Sequence, residues 1–364
     1  MVSMPLEPAQ TDVITAAVVK RVARECGFEL AGIAPAESPE DFARYEEWVA
    51  QGMAGEMRYL TDRRAEVRRD PRNILPSARS VICVGKLYNR PAPAPAPGQG
   101  VISRYAWGQD YHDVLRADLE RLVERLRSFA TFEWKICVDT APFLERSFAR
   151  MAGLGWIGKN TCLINEPLGS WFFLAEILTS LDLHPDTPPP DRCGTCRRCI
   201  DACPTAALVP SGGTPSNESW MLDARKCISY LTIELRGAIP EDQRTGIESH
   251  IFGCDICQEV CPWNRGAPTA YEAEGPGDRS LPKELEKLGT LSAEEFRLNF
   301  ASSPVARAKY SGFLRNVAVA MGNSGLDKFK EPLGRMASHP NPVVAEHARW
   351  ALEQLDQFPS TRGG

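Results

Sequence analysis

The sequence predicts a mixed α+β protein in three parts: a strand-and-helix domain over 1–185, a small cysteine-rich domain over 186–268 and a short helical-repeat tail over 280–364. Three observations carry this prediction. β-Branched runs are interspersed with amphipathic helical stretches through the first half. The segment "DLHPDTPPPD" at 182–191 holds four prolines and marks a boundary. Beyond "GAPTAYEAEGPGD", three amphipathic stretches at 310–322, 326–337 and 342–356 follow one another with short connections.

In chain order, "DVITAAVVKRVARECG" repeats apolar residues at helical spacing, with Asp12 as its cap and Gly27 as its stop. "RSVICVGKLY" (79–88) reads as a buried strand, and "NRPAPAPAPGQG" as an extended polyproline-like loop. "YHDVLRADLERLVERLRSF" is an amphipathic helix. "EWKICVD" is a strand ending at Asp139, followed by a helix from Pro142 to about Met151. "TCLIN" and "SWFFLAEILTS" give two further strands. The tail amounts to about a unit and a half of a helical repeat, below what makes a free-standing solenoid, so it is expected to pack on the rest of the chain.

Residues 153–160, "GLGWIGKN", match the dinucleotide fingerprint G-x-G-x-x-G at Gly153, Gly155 and Gly158, and come close to a phosphate loop at Lys159. That fingerprint needs a strand before it and a helix after it. Here helical "PFLERSFARMA" precedes it and extended "TCLI" follows, while Trp156 and Ile157 add bulk where a phosphate needs bare backbone. A glycine helix stop and a tight turn into a strand account for the pattern.

The chain has 364 residues, 43% hydrophobic and 24% charged, a composition ordinary for a globular protein. Its longest apolar runs, such as "WFFLAEIL", are too short to cross a bilayer. The first residues, "MVSMPLEPAQTD", show no export signal, so a cytoplasmic location is expected. Twelve cysteines are many for that compartment. Cys26, Cys83, Cys137 and Cys162 sit in apolar surroundings and read as small core residues. The other eight cluster between 193 and 261.

"CGTCRRCIDACP" sets Cys193, Cys196, Cys199 and Cys203 in the spacing C-x2-C-x2-C-x3-C-P, the bacterial ferredoxin run whose fourth cysteine ligates the other cluster. "CDICQEVCP" adds Cys254, Cys257 and Cys261, and Cys227 stands between the two runs. The assignment is Cys193, Cys196, Cys199 and Cys261 for one [4Fe–4S] cluster, and Cys203, Cys227, Cys254 and Cys257 for a second. Zinc favours two separated ligand pairs, which three cysteines within seven residues fit poorly. Two clusters imply electron transfer.

Upstream of the cysteines lie "RYAWGQDYHDVL", "VDTAPFLERSFARMAGLGWIGKN" and "GSWFFLAEILT". Together with "CGTCRRCIDACPTAAL" and "GCDICQEVCPWN" they resemble the epoxyqueuosine reductases, which remove an epoxide oxygen in the last step of making queuosine in transfer RNA. The resemblance runs from about residue 10 to "LRNVAVAMGN" in the tail. It implies a cobalamin-binding N-terminal domain, a two-cluster ferredoxin-like domain and a HEAT-like tail. It makes Asp139 of "VDTAP" the proton donor, and places "GLGWIGKN" along the corrin pocket. Arg68, Ser103, Arg146, Gly158, Lys159, Asn160, Ser229, Cys254 and Asp255 would lie near the cobalamin. It further implies a tRNA substrate, an electron donor of flavodoxin or ferredoxin type, no membrane attachment and a monomer.

A carboxyl group with an ordinary pKa of about 3.9 is ionised at neutral pH, so a donor role for Asp139 calls for desolvation that raises its pKa. The cobalamin lower-ligand pattern D-x-H-x-x-G begins at Asp110 and His112 but has Leu115 in place of glycine. His112 therefore reads as part of the fold or as a hydrogen-bonding partner, not as a cobalt ligand.

A net charge of −5 opposes general attraction to a polyanion, so RNA needs a local basic surface. Residues 58–79 and 307–335 each carry an excess of four positive charges. The tail segment, with Arg315, Lys328, Lys330 and Arg335, is the expected grip on anticodon-arm phosphates. Two other functions remain open to the sequence. A reductive dehalogenase would usually carry a twin-arginine export signal, which is not found here. A plain two-cluster electron carrier leaves about 190 upstream residues with their own motifs unexplained.

Overall fold

The strands Leu30–Pro35, Ser80–Leu87, Phe172–Thr179 and Trp134–Cys137 form, in that spatial order, one antiparallel sheet. The computed structural model describes residues 14–91, 94–214, 217–270 and 283–357. The period-two alternation of the strand sequences decides what each face buries. Ile82, Val84, Ala175 and Ile177 face the helices Ala16–Glu25 and Tyr111–Arg127, packing with Val19, Val22, Leu115, Leu119 and Leu122. Val81, Cys83, Cys137 and Leu178 face the opposite side, against Phe148 and Ala149 of the helix Glu145–Met151. With both faces covered, each fully buried aliphatic side chain contributes roughly 1.5–3 kcal/mol.

Local signals set most boundaries. Thr15 caps the first helix by accepting the Val18 N–H, and Gly27, at φ 90°, follows its end. The expected cap Asp12 lies outside the described residues. Asp110 caps the helix Tyr111–Arg127. The strand Trp134–Cys137 stops two residues before Asp139, and the next helix begins at Glu145 rather than Pro142. Between them Asp139 takes φ 43°, a left-handed conformation uncommon for a residue with a side chain.

Sequence patterning did not predict the strand Leu30–Pro35, the helix Asp41–Ala50, or the strand Gln99–Ile102. Gln99–Ile102 pairs in parallel with His250–Phe252 and antiparallel with Lys283–Glu284, joining three distant chain segments in one small sheet. No helix among the described residues is long and apolar enough to cross a membrane.

The tail contains the helices Lys309–Asn323, Lys330–Met336 and Pro342–Gln357, preceded by Ala293–Phe300. Phe313, Val317, Ala318 and Met321 share one core with Ile228, Leu231, Ile247 and Ile251, so the tail packs on the segment that follows Cys227.

Arg315 corrects the expectation for RNA. It is 1% exposed and donates to the carbonyls of Leu231, Leu235 and Gly237. Its neighbour Asn316 donates to Thr232 O and Ile251 O. These bonds satisfy carbonyls at and beyond the end of the helix Ile228–Ile233, which the helix itself leaves unpaired. Arg315 is an interior fastener and does not grip phosphates. Lys328, Lys330 and Arg335 are exposed. Lys330 is paired with Asp327 and Asp356, and Arg335 with Glu331.

Candidate functional site

The two cysteine runs are carried by short helices, Arg198–Asp201 and Ile256–Glu259. Short helices suit the task because their turns present sulfurs at three-residue spacing while leaving backbone N–H groups free. Backbone amides lie near several of the sulfurs: those of Ser229 and Tyr230 near Cys227, that of Ile256 near Cys254, that of Trp263 near Cys261 and that of Lys159 near Cys193. Ala207 N donates to Cys203 Sγ at 3.3 Å. All eight cysteines are free of disulfides. Cys193, Cys196 and Cys261 lie close enough to act electrostatically on Cys199, and Cys227 and Cys203 on Cys254. Soft thiolates met by N–H donors are the donor set an iron–sulfur cluster requires.

Cys203, Cys227, Cys254 and Cys257 all line one cavity of about 310 Å³. Past the sulfurs its wall continues through Ser103, Arg146, Asn160, Ser229 and Asp255, with Tyr88, Tyr105 and Phe172 as the apolar part. The structure thus gathers six of the residues expected around cobalamin: Ser103, Arg146, Asn160, Ser229, Cys254 and Asp255. Asp255 is buried, accepting from the Ser103 hydroxyl and from Arg104 N at 2.8 Å. A wall of hydroxyl, amide and guanidinium groups over aromatic rings fits a large flat macrocycle fringed with amides.

The other expected contacts lie elsewhere. Arg68 is buried and donates to Tyr59 O and Arg64 O, away from the cavity wall. Gly158 and Lys159 do not line the cavity either. Of the run "GLGWIGKN", Asn160 lines the cavity, while its glycines are explained by packing. Gly153 ends a helix at φ 77°, and a Cβ on Gly155 would come within 2.2 Å of Ile164 O. A Cβ on Gly158 would meet Asn160 Oδ1 at 2.8 Å. Lys159 Nζ then donates to Gly194 O at 2.8 Å, and Asn160 Nδ2 to Cys257 O at 3.2 Å. The turn braces both cysteine loops at once. Cys162, expected in the core, is on the cavity wall together with Cys257.

Asp139 stands beyond Tyr105, a wall residue whose ring lies 6.1 Å from that of Tyr111. The Tyr111 side chain lies close enough to Asp139 to help lower its pKa. His112 Nε2 is 3.2 Å from Asp139 Oδ2, and its Nδ1 is 2.7 Å from Asp110 Oδ1. Arg307 Nη1 is 3.8 Å from the same Asp139 oxygen. The side chain of Asp139 is 42% exposed. Desolvation pushes its carboxyl up, but the His112 hydrogen bond and the charges of His112 and Arg307 outweigh it, so its pKa is lowered. This corrects the expectation of a raised pKa. For His112, burial pulls down while Asp139 and Asp110 pull up more strongly, and the net direction is up. A histidine whose two nitrogens both face carboxylate oxygens is satisfied as the doubly protonated cation. This geometry favours the proton on His112 over Asp139.

Behind Asp139, Glu145 accepts its backbone N–H. Burial pushes Glu145 to a pKa of about 8, aided by the charge of Asp139. Glu176, two positions from Leu174 and Leu178 on the same face of the sheet, is 0% exposed, and both its carboxyl oxygens lack hydrogen-bond partners. Burial and the charge of Glu145 raise its pKa far above the usual range. Sequence reading passed over Glu145 and Glu176 as functional residues, and counted Arg307 only within the basic 307–335 segment. Glu176 alone gave a signal, a lone acid inside "WFFLAEIL".

Comparison with known proteins decides the family. The chain is 41% identical over 356 residues to an epoxyqueuosine reductase of Xanthomonas campestris pv. campestris, covering 95% of this chain and 97% of that one. The chain belongs to the epoxyqueuosine reductase family. The model for epoxyqueuosine reductase QueG matches residues 68–140, and that for a 4Fe-4S double cluster binding domain matches residues 192–264. The Escherichia coli K12 epoxyqueuosine reductase is 37% identical, covering 92% of this chain and 88% of its own. Among solved structures, epoxyqueuosine reductase from Streptococcus thermophilus superimposes with a TM-score of 0.83 at 29% identity, covering 94% of this chain and 90% of that one. An epoxyqueuosine reductase crystallised with an epoxyqueuosine-modified tRNA-Tyr stem loop gives 0.81 at 29% identity, covering 93% and 89%.

Proposed function

We propose that this chain reduces epoxyqueuosine to queuosine at the wobble position of tRNA, working in the cytoplasm with cobalamin and two [4Fe–4S] clusters. The observation that carries the reading is one cavity whose wall holds the four thiols of the second cluster and then a polar rim, with the His112–Asp139 pair beyond Tyr105. Ser103, Arg146, Asn160, Ser229 and Asp255 would hold the cobalamin, and Cys254 would belong to both cluster and cavity wall. When bound, cobalamin supplies a low-valent metal centre that gathers single electrons from the clusters for a two-electron reduction.

The protein's own part is protonic and positional. Converting an epoxide to an alkene consumes two electrons and two protons and releases the oxygen as water. Asp139 faces the open side of the site and His112 holds a proton against it. His112 Nε2 passes its proton to Asp139 Oδ2 and Asp139 hands that same proton to the leaving oxygen, so Asp139 carries it only in transit, and the second proton comes from solvent. The three-part division of the chain, the monomeric state and a flavodoxin- or ferredoxin-type electron donor belong to the same proposal.

Anaerobic purification tests it. The holoenzyme should hold eight irons and one cobalamin per chain and convert epoxyqueuosine in tRNA to queuosine. About four irons, stoichiometric zinc, or no turnover on that RNA with both cofactors loaded would overturn it.

A further inference from the structure

With Arg315 buried, the question is which surface beside Asp139 meets the RNA. Arg307 projects from the turn Pro304–Ala308 toward Asp139, and its Nε is fixed by Glu234 Oε1 at 2.6 Å. Its guanidinium carbon lies 5.5 Å from the centre of the Tyr59 ring. Tyr59 belongs to the turn Arg58–Leu60, which is held from beneath. Arg68 Nη1 donates to Tyr59 O at 3.1 Å, and the Tyr45 hydroxyl donates to Leu60 O. Two flat groups from opposite ends of the chain are therefore preset at the edge of the catalytic carboxylate. This also gives buried Arg68 a purpose.

The charge around them is uneven. Within 58–79, Arg64, Arg69, Arg72 and Arg79 are each committed to a carboxylate: Asp62, Glu46 and Glu66, Asp70, and Asp182. Arg58, next to Tyr59 in the chain, and Arg63, four residues on, are exposed and enter no ion pair among the described residues. In a chain of net charge −5, uncommitted positive charge stands next to the aromatic ring that borders Asp139.

Resting on the reading of this chain as a tRNA-modifying reductase, we propose that Tyr59 and Arg307 form the clamp that takes the unstacked modified base. Arg58 and Arg63 hold the phosphates of the neighbouring nucleotides. Single-stranded loops are recognised by stacking splayed bases on aromatic rings and guanidinium planes, which gives the arrangement its fit. Stacking of one base on an aromatic side chain contributes roughly 1–3 kcal/mol. Each phosphate neutralised adds a salt-dependent increment that carries no sequence information.

The test measures binding of the cofactor-loaded enzyme to an anticodon stem–loop bearing either guanosine or epoxyqueuosine at the wobble position. Tyr59→Leu should weaken binding of the modified stem–loop by about 5- to 150-fold, while Tyr59→Phe, which keeps the ring, stays within about twofold of wild type. Arg307→Gln should weaken binding in the same range, and a melting profile matching wild type excludes general unfolding. The double change Arg58→Gln, Arg63→Gln should weaken both stem–loops equally and flatten the plot of log affinity against log salt by about 1.4. An unchanged dissociation constant in Tyr59→Leu, or an unchanged salt slope in the double variant, would overturn the clamp. Wild-type turnover of the modified stem–loop reports separately on the reduction, so failure of the clamp and failure of the proposed activity remain distinct.

Discussion

His112 Nε2 and Asp139 Oδ2 lie 3.2 Å apart, with Asp110 fixing the other ring nitrogen at 2.7 Å. This places an acid–base pair, rather than a lone carboxylic acid, at the mouth of the site. Asp139→Asn should retain iron and cobalamin and lose nearly all turnover. His112→Gln keeps hydrogen-bonding capacity but cannot carry the proton. Because His112 is held above its ordinary value of 6.5, the wild-type rate should be full at low pH and fall as pH rises through that raised pKa. In His112→Gln this alkaline limb should disappear and the rate drop by about 10²–10⁴-fold. A His112→Gln profile superimposable on wild type would leave His112 with an orienting role only.

Glu145 holds Asp139 in an uncommon backbone conformation, accepting the N–H of a residue at φ 43°. An amide oxygen accepts that bond as well as a carboxyl does, so Glu145→Gln should keep most of the activity. Glu145→Ala frees the Asp139 backbone, and a misplacement of about 1 Å costs on the order of 10²-fold in rate. The loss should fall on kcat with KM for RNA little changed. Equal losses in Gln and Ala would show that the carboxyl is needed as an acid.

Much of this was legible in advance because it depends on local chemistry. Cysteine spacing nominates eight candidate ligands without any fold, and Gly27 and Gly153 mark helix ends by their own properties, whereas Asp110 was read only as the start of a cobalamin pattern and is a helix cap. Long-range geometry was not legible. Nothing near Arg315 in sequence says that three carbonyls from residues 231–237 converge on it, so its charge read as surface charge. Likewise, Arg307 meets Asp139 and Tyr59 only through packing of the tail, and helical periodicity carries no trace of that. The Asp139 pKa failed for the same reason. Its neighbours in sequence suggested desolvation, whereas its neighbours in space are His112 and Arg307.

Glu176 carries a titration signature of its own. Its folded pKa is raised and its unfolded value is the ordinary one near 4.5. Folding stability is therefore fully present below about pH 4.5 and declines as pH rises toward the folded value, since the unfolded chain sheds the proton first. Glu176→Gln removes the titration while keeping the shape. It should raise the melting temperature at pH 8 and change it little at pH 5, which two thermal scans would decide. A stabilisation equal at both pH values would mean that Glu176 is ionised in the fold, with partners that burial conceals.

Arg315→Leu separates an interior fastener from an RNA contact. The substitution fills part of the space but strands the carbonyls of Leu231, Leu235 and Gly237, and frees Asn316 from its neighbour's guanidinium. Each buried acceptor left unpaired costs about 1–3 kcal/mol, so the sum should reach several kcal/mol. Burial holds the Arg315 pKa at about 10, so the side chain is still charged at neutral pH and its bonds are charge-assisted. The loss should be local to the shared core of the tail and the segment after Cys227. Hydrogen exchange at Ile228–Ile233 and Lys309–Asn323 should rise, while amides of the Ser80–Leu87 strand stay protected. At temperatures where the variant remains folded, its affinity for the anticodon stem–loop and the salt dependence of that affinity should match wild type. Normal stability with weakened RNA binding would return Arg315 to the surface and reverse the assignment.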